Sequence, residues 1–186
     1  KKEINNTKKI LIIGGSQGAK FFDNNIYKLM IKISQYFDVE VTQQIYDEKA
    51  KKNIEKIYNE KKISCNLFNY NENLYKKYNE FDIAITRSGA SAISELAYFN
   101  VPFIAIPFPF AKDNHQYFNA LFYKQNNCCW IIDQKYFKIE DLSKFLFNLF
   151  SEKYDYFEKK NNQKKITNEN SWNNINNILI KLINEN

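Results

Sequence analysis

Six short apolar runs, most of them followed by a stretch with helical spacing, narrow what this chain can fold into more than any other feature. The runs are KILIIG (9–14), VEVTQQI (39–45), ISCNLF (63–68), DIAIT (82–86), FIAIP (103–107) and CCWII (128–132). Residues 19–35 carry Phe22, Ile26, Leu29, Met30 and Ile33 at helical spacing, and 47–60, 72–79, 89–98, 114–125 and 139–150 also read as helical. Short apolar runs fit strands buried on both faces, and their alternation with helices calls for parallel crossovers. The expected fold class is therefore α/β: a Rossmann-like, doubly wound parallel sheet of about six strands with helices on both faces. Residues 1–8 read as a polar linker and 9–186 as one domain, long enough to bury a real core. The tail SWNNINNILIKLI spaces Trp172, Ile175, Ile178, Leu179 and Leu182 by a helical turn, which predicts an amphipathic helix over 171–184. No internal repeat appears, and 158–177 is mildly low in complexity, rich in Asn and Lys.

The chain holds four glycines, and three of them (Gly14, Gly15 and Gly18) lie within GGSQGA at the end of the first run. In doubly wound sheets, ligands bind outside the carboxyl ends of the strands, at the turns entering the helices. Glycines let backbone approach an anion, and the helix behind offers free N–H groups and a positive dipole end. Ser16 and Gln17 add side-chain donors. The spacing GGxxG departs from the dinucleotide fingerprint GxGxxG, which argues against NAD. A tight strand–helix turn with no ligand is the alternative.

The fourth glycine stands in TRSGASAISELA (86–97). Here Ser88 reads as a helix cap, Gly89 as a site for an unusual backbone angle, and the N–H groups near Ala90 and Ser91 as outward-pointing donors. Glu95 follows Ser88 by two turns on the same face, about 10 Å along the axis. A carboxylate so placed suits vicinal hydroxyls such as those of ribose; otherwise it is a solvated helix residue. Arg87, the sole arginine, suits either a phosphate or a neighbouring carboxylate. In IPFPFAKDNHQYFNA (106–120), Asp113 reads as an N-cap. His115, Gln116 and Asn119 occupy the first turns of the next helix, where Gln116 and Asn119 share a face. Carboxamides donate and accept, which suits sugar hydroxyls. His115, the sole histidine, has no carboxylate or nucleophile partner visible in sequence, which favours a structural role over a catalytic one.

The net charge of +6 comes from dispersed lysines that read as solvated helix faces, with no module for nucleic acid. Three cysteines, with Cys128 and Cys129 adjacent, give neither a disulfide framework nor metal-ligand spacing, and point to a reducing cytosol. No run approaches the roughly 20 apolar residues of a membrane span, and no signal peptide precedes the first strand. A chain that opens on Lys1 instead of Met is compatible with a piece of a longer protein.

Taken together and in this order, ILIIGGSQGA, FDIAITRSGASAISELA and VPFIAIPFPFAKDNHQYFNA closely resemble the carboxyl-terminal half of the MurG family (glycosyltransferase family 28). These are bacterial N-acetylglucosaminyltransferases that complete lipid II in peptidoglycan synthesis. The resemblance implies one half of a GT-B fold, two Rossmann-like domains facing across a cleft, with UDP-N-acetylglucosamine bound by this half. It implies that Ser16, Gln17 and Gly18 meet the diphosphate, that the loop at Tyr70 and Asn71 covers the uracil, and that Ala90 offers a backbone N–H to a phosphate. Glu95 would hold the ribose hydroxyls, and Gln116 and Asn119 would read the sugar beside His115. Ala92 departs from the hydroxyl residue often found at its position. The general base, the lipid I surface and most of the membrane attachment belong to the family's amino-terminal domain, which places the enzyme in the cytoplasm on the inner face of the membrane. No metal or cofactor is implied. A non-catalytic subunit of a two-component glycosyltransferase and a UDP-N-acetylglucosamine 2-epimerase-like GT-B domain are the alternative readings. The former usually lacks GGSQGA, and the latter carries different histidine- and acid-containing motifs.

Overall fold

The computed structural model describes residues 7–152 and 154–169, with backbone alone for 16–19, 168 and 169. Each apolar run becomes a strand: β1 (Lys8–Ile13), β2 (Val39–Gln44), β3 (Ser64–Phe68), β4 (Ile83–Thr86), β5 (Phe103–Ala105) and β6 (Cys129–Ile131). All neighbours pair in parallel, in the order β3-β2-β1-β4-β5-β6. The chain winds outward from β1 to β3, crosses back to β4 and winds outward the other way. β1 opens at Lys8, one residue inside the stretch read as linker.

Successive strand residues point to opposite faces, and both faces are covered. Ile10, Ile12, Ile83, Ile85, Ile104 and Ile106 feed one core with the buried stripe of α1 (Gly15–Ile33) and with α5 (Ile139–Glu152). Leu11, Ala84, Phe103 and Ala105 feed the other, with α3 (Ala90–Tyr98) and α4 (His115–Gln125). The segment read as helical at 72–79 is a 3-10 helix, Leu74–Glu80, which buries Leu74 and Tyr78 under the second core. Helix α2 (Glu48–Glu60) begins with Asp47, whose carboxylate accepts from Ala50 N at 2.6 Å.

A sixth helix, α6 (Tyr154–Glu169), occupies part of the Asn/Lys-rich stretch. It docks through polar groups. Gln163 Nε2 donates to the carbonyls of Val101 and Cys128 at 3.1 and 3.0 Å, and Thr167 Oγ1 donates to Ala97 O at 3.4 Å. Lys159 is buried between Asp155, at 2.7 Å, and the Trp130 ring. The helix expected over 171–184 lies outside the described residues.

The scarcity of glycine has a structural counterpart. Lys62, Asn100 and Asn127 take the left-handed conformation just beyond α2, α3 and α4, and Asp113 and Asn114 take it before α4. Asparagine tolerates that region better than most residues, so helix ends that elsewhere need Gly are made here without it. Burial pushes the Cys128 thiol up to about 11 and Cys129 to about 12, which keeps both protonated and inert.

Asp23 on α1 is buried, and its Oδ1 has no hydrogen-bond partner among the described residues. Burial, then the charge of Asp47, raises its carboxyl from 3.8 to about 6. The folded state thus holds this proton more tightly than the unfolded chain does. Its contribution to stability falls as pH rises from about 4 to about 6 and is constant above that. Asp23→Asn is expected to remove this slope and to raise stability at pH 7 by roughly 1–3 kcal/mol. Urea titrations at pH 4, 5 and 7 check it; parallel pH profiles for the two proteins would refute it.

Candidate functional site

The point where the winding reverses lies between β1 and β4. Their carboxyl ends carry the two glycine-bearing turns, so the sequence motifs meet at the place where open α/β sheets bind ligands. Leaving β1, Gly14 caps α1 and Gly15 has φ +62°, a conformation that favours glycine. Ser16, Gln17 and Gly18 follow in the first turn of α1. Leaving β4, Gly89 caps α3, and Ala90, Ser91 and Ala92 form its first turn.

Three expectations about these turns are corrected. Ser88 does not cap α3: it is fully buried, and its Oγ has no partner among the described residues. Gly89 holds no unusual angle; its φ of −62° and ψ of 137° suit any residue. Asp113 is not an N-cap either, since it lies in a left-handed 3-10 turn and Asn114 occupies the cap position of α4 without a side-chain cap bond. Among the described residues, the cap residues of the three helices that start beside the switch point make no side-chain cap bond, whereas Asp47 caps α2; at α1 the Gly15 N–H is taken by the Gln44 side chain. Bare N-terminal N–H groups carry the positive end of the helix dipole. Packing does not demand a glycine at 89 either: among the described residues, a Cβ there meets nothing within 4 Å.

Asn71 and Glu95, far apart in sequence, line one hollow of about 300 Å³ together with Gln44, Tyr70, Tyr78 and Ala92. Glu95 Oε2 accepts from Tyr78 OH at 3.2 Å. Burial, then the charge and hydrogen bond of Glu95, raises the Tyr78 phenol well above its ordinary value, so it remains a donor. Asn71 Oδ1 accepts from Asn73 N at 3.0 Å and shapes the loop, while the Tyr70 ring projects into solvent.

On α4, Gln116 Oε1 accepts from Phe108 N at 3.0 Å, and Asn119 Nδ2 donates to Ser88 O at 3.1 Å. Each carboxamide is thus anchored at one end to a neighbouring turn, leaving the Gln116 amide and the Asn119 carbonyl as the groups for a further partner. His115 is exposed at the helix start, with Nδ1 2.8 Å from Lys112 O. Arg87 faces inward, 4% exposed. Its guanidinium donates to Ile106 O at 2.9 Å, Pro107 O at 3.1 Å and Gln134 Oε1 at 2.6 Å, against the rings of Phe21, Phe22 and Phe108.

Sequence reasoning missed Gln44 and Tyr78. Neither carried a signal of its own: Gln44 is one of four polar residues in β2, and Tyr78 is one of many tyrosines.

Residues 9–174 match the model of the glycosyltransferase family 28 C-terminal domain. The chain belongs to the glycosyltransferase family 28 C-terminal domain family. Among family relatives, it is 41% identical over 180 residues to the UDP-N-acetylglucosamine--N-acetylmuramyl-(pentapeptide) pyrophosphoryl-undecaprenol N-acetylglucosamine transferase of Pelagibacter ubique, covering 97% of this chain and 50% of the relative. The enzyme of the same name from Wolbachia is 32% identical over 170 residues, covering 89% and 49%. The chain spans about half the length of the curated relatives it matches. The crystal structure of MurG from Acinetobacter baumannii superposes with a TM-score of 0.77 at 22% identity, covering all of this chain and 54% of that one. The fold is thereby that of one half of a GT-B enzyme. A UDP-N-acetylglucosamine 2-epimerase also shares the fold, with a TM-score of 0.59 at 12% identity over 84% of this chain and 38% of that one.

Proposed function

We propose that this chain is the donor-binding half of an inverting N-acetylglucosaminyltransferase that takes UDP-N-acetylglucosamine for transfer to lipid I, making lipid II. Gly89 carries the reading. It is a glycine that, among the described residues, neither backbone angle nor packing demands, at the start of α3 and six residues before Glu95. Open backbone beside bare helix N–H groups suits a diphosphate, and a carboxylate farther along the same helix suits the ribose of the same nucleotide. The names of the sequence relatives supply the sugar and the undecaprenol-linked acceptor, and favour transfer over the epimerase reading, whose support is fold alone.

In this reading Ser16, Gln17 and Gly18 at the start of α1, with the N–H of Ala90, hold the diphosphate. The loop at Tyr70 and Asn71 covers the uracil, and Glu95, oriented by Tyr78, takes the ribose hydroxyls. Gln116 and Asn119 read the hexose through their unanchored ends, with His115 beside them. The acceptor 4-hydroxyl, giving its proton to a base in the family's amino-terminal domain, attacks the anomeric carbon as the bond to UDP breaks, and the charge left on UDP faces the α1 dipole. Among the described residues no helix is long and apolar enough to cross a membrane. Lipid I contact and peripheral attachment to the inner face of the bacterial membrane are assigned to the family's amino-terminal domain, and nucleic acid is not a partner.

The test is the ribose. Glu95→Gln is expected to weaken UDP binding by about 1–3 kcal/mol, the scale of lost hydrogen bonds to a charged group. Binding of 2′,3′-dideoxy-UDP should hardly change. Calorimetry showing equal losses for the two ligands would remove Glu95 from the ribose.

A further inference from the structure

Gln44 ends β2, a strand buried among its neighbours, and is 8% exposed. Its carboxamide reaches three segments. Oε1 accepts from Gly15 N at 3.3 Å, and Nε2 donates to Asn69 O at 3.1 Å and to Tyr46 OH at 2.8 Å. Gly15 belongs to the turn leaving β1 and Asn69 to the loop leaving β3, and β2 lies between those two strands. The contact on Gly15 falls on a residue whose left-handed backbone sets the direction of the turn. The contact on Asn69 falls one residue before Tyr70, and the Asn69 amide is held on its other side by Glu48 Oε1 at 2.5 Å. A carboxamide is suited to this post because it accepts and donates at once; a carboxylate would only accept and an ammonium only donate.

We propose that Gln44 is a positioning residue that fixes the separation between the glycine turn at Gly14–Gly18 and the loop at Tyr70–Asn71, so that one uridine diphosphate meets both. This rests on the nucleotide reading given above. A ligand that spans both segments benefits from the fixed spacing, whereas a ligand that touches only one does not, because a single segment can adjust to it alone.

The experiment titrates the full chain with UDP, uridine and inorganic pyrophosphate, followed by NMR, for the wild type, Gln44→Leu and Tyr46→Phe. Gln44→Leu is expected to weaken UDP binding about tenfold or more while uridine and pyrophosphate change less than about threefold. Exchange of the Gly15 amide should accelerate without ligand. Tyr46→Phe keeps both ties and should bind UDP as the wild type does. If Gln44→Leu does not fold, Gln44→Glu asks the same question, since it keeps the acceptor for Gly15 and loses the donor to Asn69. Equal losses for all three ligands, or unchanged UDP affinity, overturn the proposal alone. A wild type that binds no UDP overturns the nucleotide reading and this proposal with it.

Discussion

Arg87→Ala is expected to lower the unfolding free energy by about 3–5 kcal/mol, a large share of the roughly 5–15 kcal/mol that holds a domain together. The guanidinium donates to two carbonyls at the end of β5 and to the Gln134 side chain, all within a shell of aromatic rings. Removing it strands those acceptors in an apolar setting, at about 1–3 kcal/mol each if none relaxes, and opens a cavity besides. Burial lowers the guanidinium to about 10, so it stays charged at neutral pH and the bonds remain charge-assisted. Arg87→Lys keeps the charge but loses the planar fork that reaches the carbonyls and Gln134 together, and should cost about half as much. Urea denaturation of the three proteins decides. A loss below about 1 kcal/mol for the alanine variant would mean that water replaces the guanidinium, and that Arg87 does not hold the β4 and β5 exits together.

The contrast between Arg87 and Glu95 shows which parts of the site a sequence exposes. The placement of Glu95 was legible because helical spacing from a glycine turn fixes where a side chain stands, and the structure sets it with Asn71 in one hollow. Arg87 was ambiguous because a buried cation satisfied by backbone carbonyls looks, in sequence, like a surface cation awaiting an anion. The strands were readable for a similar reason to Glu95, since burial on both faces leaves unbroken apolar runs such as ILII and IAIT. Helix α6 was not. Its anchors Lys159, Gln163 and Thr167 bond to groups that only tertiary structure brings near, and a polar anchor leaves no apolar stripe to detect. The assignments of Ser88 and Asp113 as caps failed on a different ground. Capping statistics describe helices whose N-termini need only themselves to be satisfied, and the cap residues of α3 and α4 make no side-chain cap bond.

A polypeptide of these 186 residues is expected to hold UDP-N-acetylglucosamine weakly and to transfer none of it. On the reading proposed here, every loop at the switch point serves the donor, and the relatives matched are about twice as long. In-line attack on the anomeric carbon needs an acceptor hydroxyl held in place, a base for its proton, and a closed cleft that excludes water. His115, the sole histidine, is exposed at the start of α4 with Nδ1 committed to Lys112 O, beside the residues assigned to the sugar and not across from them. Weak binding follows from the same geometry, because one open hollow supplies fewer contacts than two facing walls. The measurement gives the purified chain labelled UDP-N-acetylglucosamine and a soluble lipid I analogue, alone and fused behind the amino-terminal half of the Pelagibacter relative. No product is expected from the chain alone, and product is expected from the fusion. Turnover by the chain alone that disappears in His115→Ala would reverse the assignment and make His115 the base.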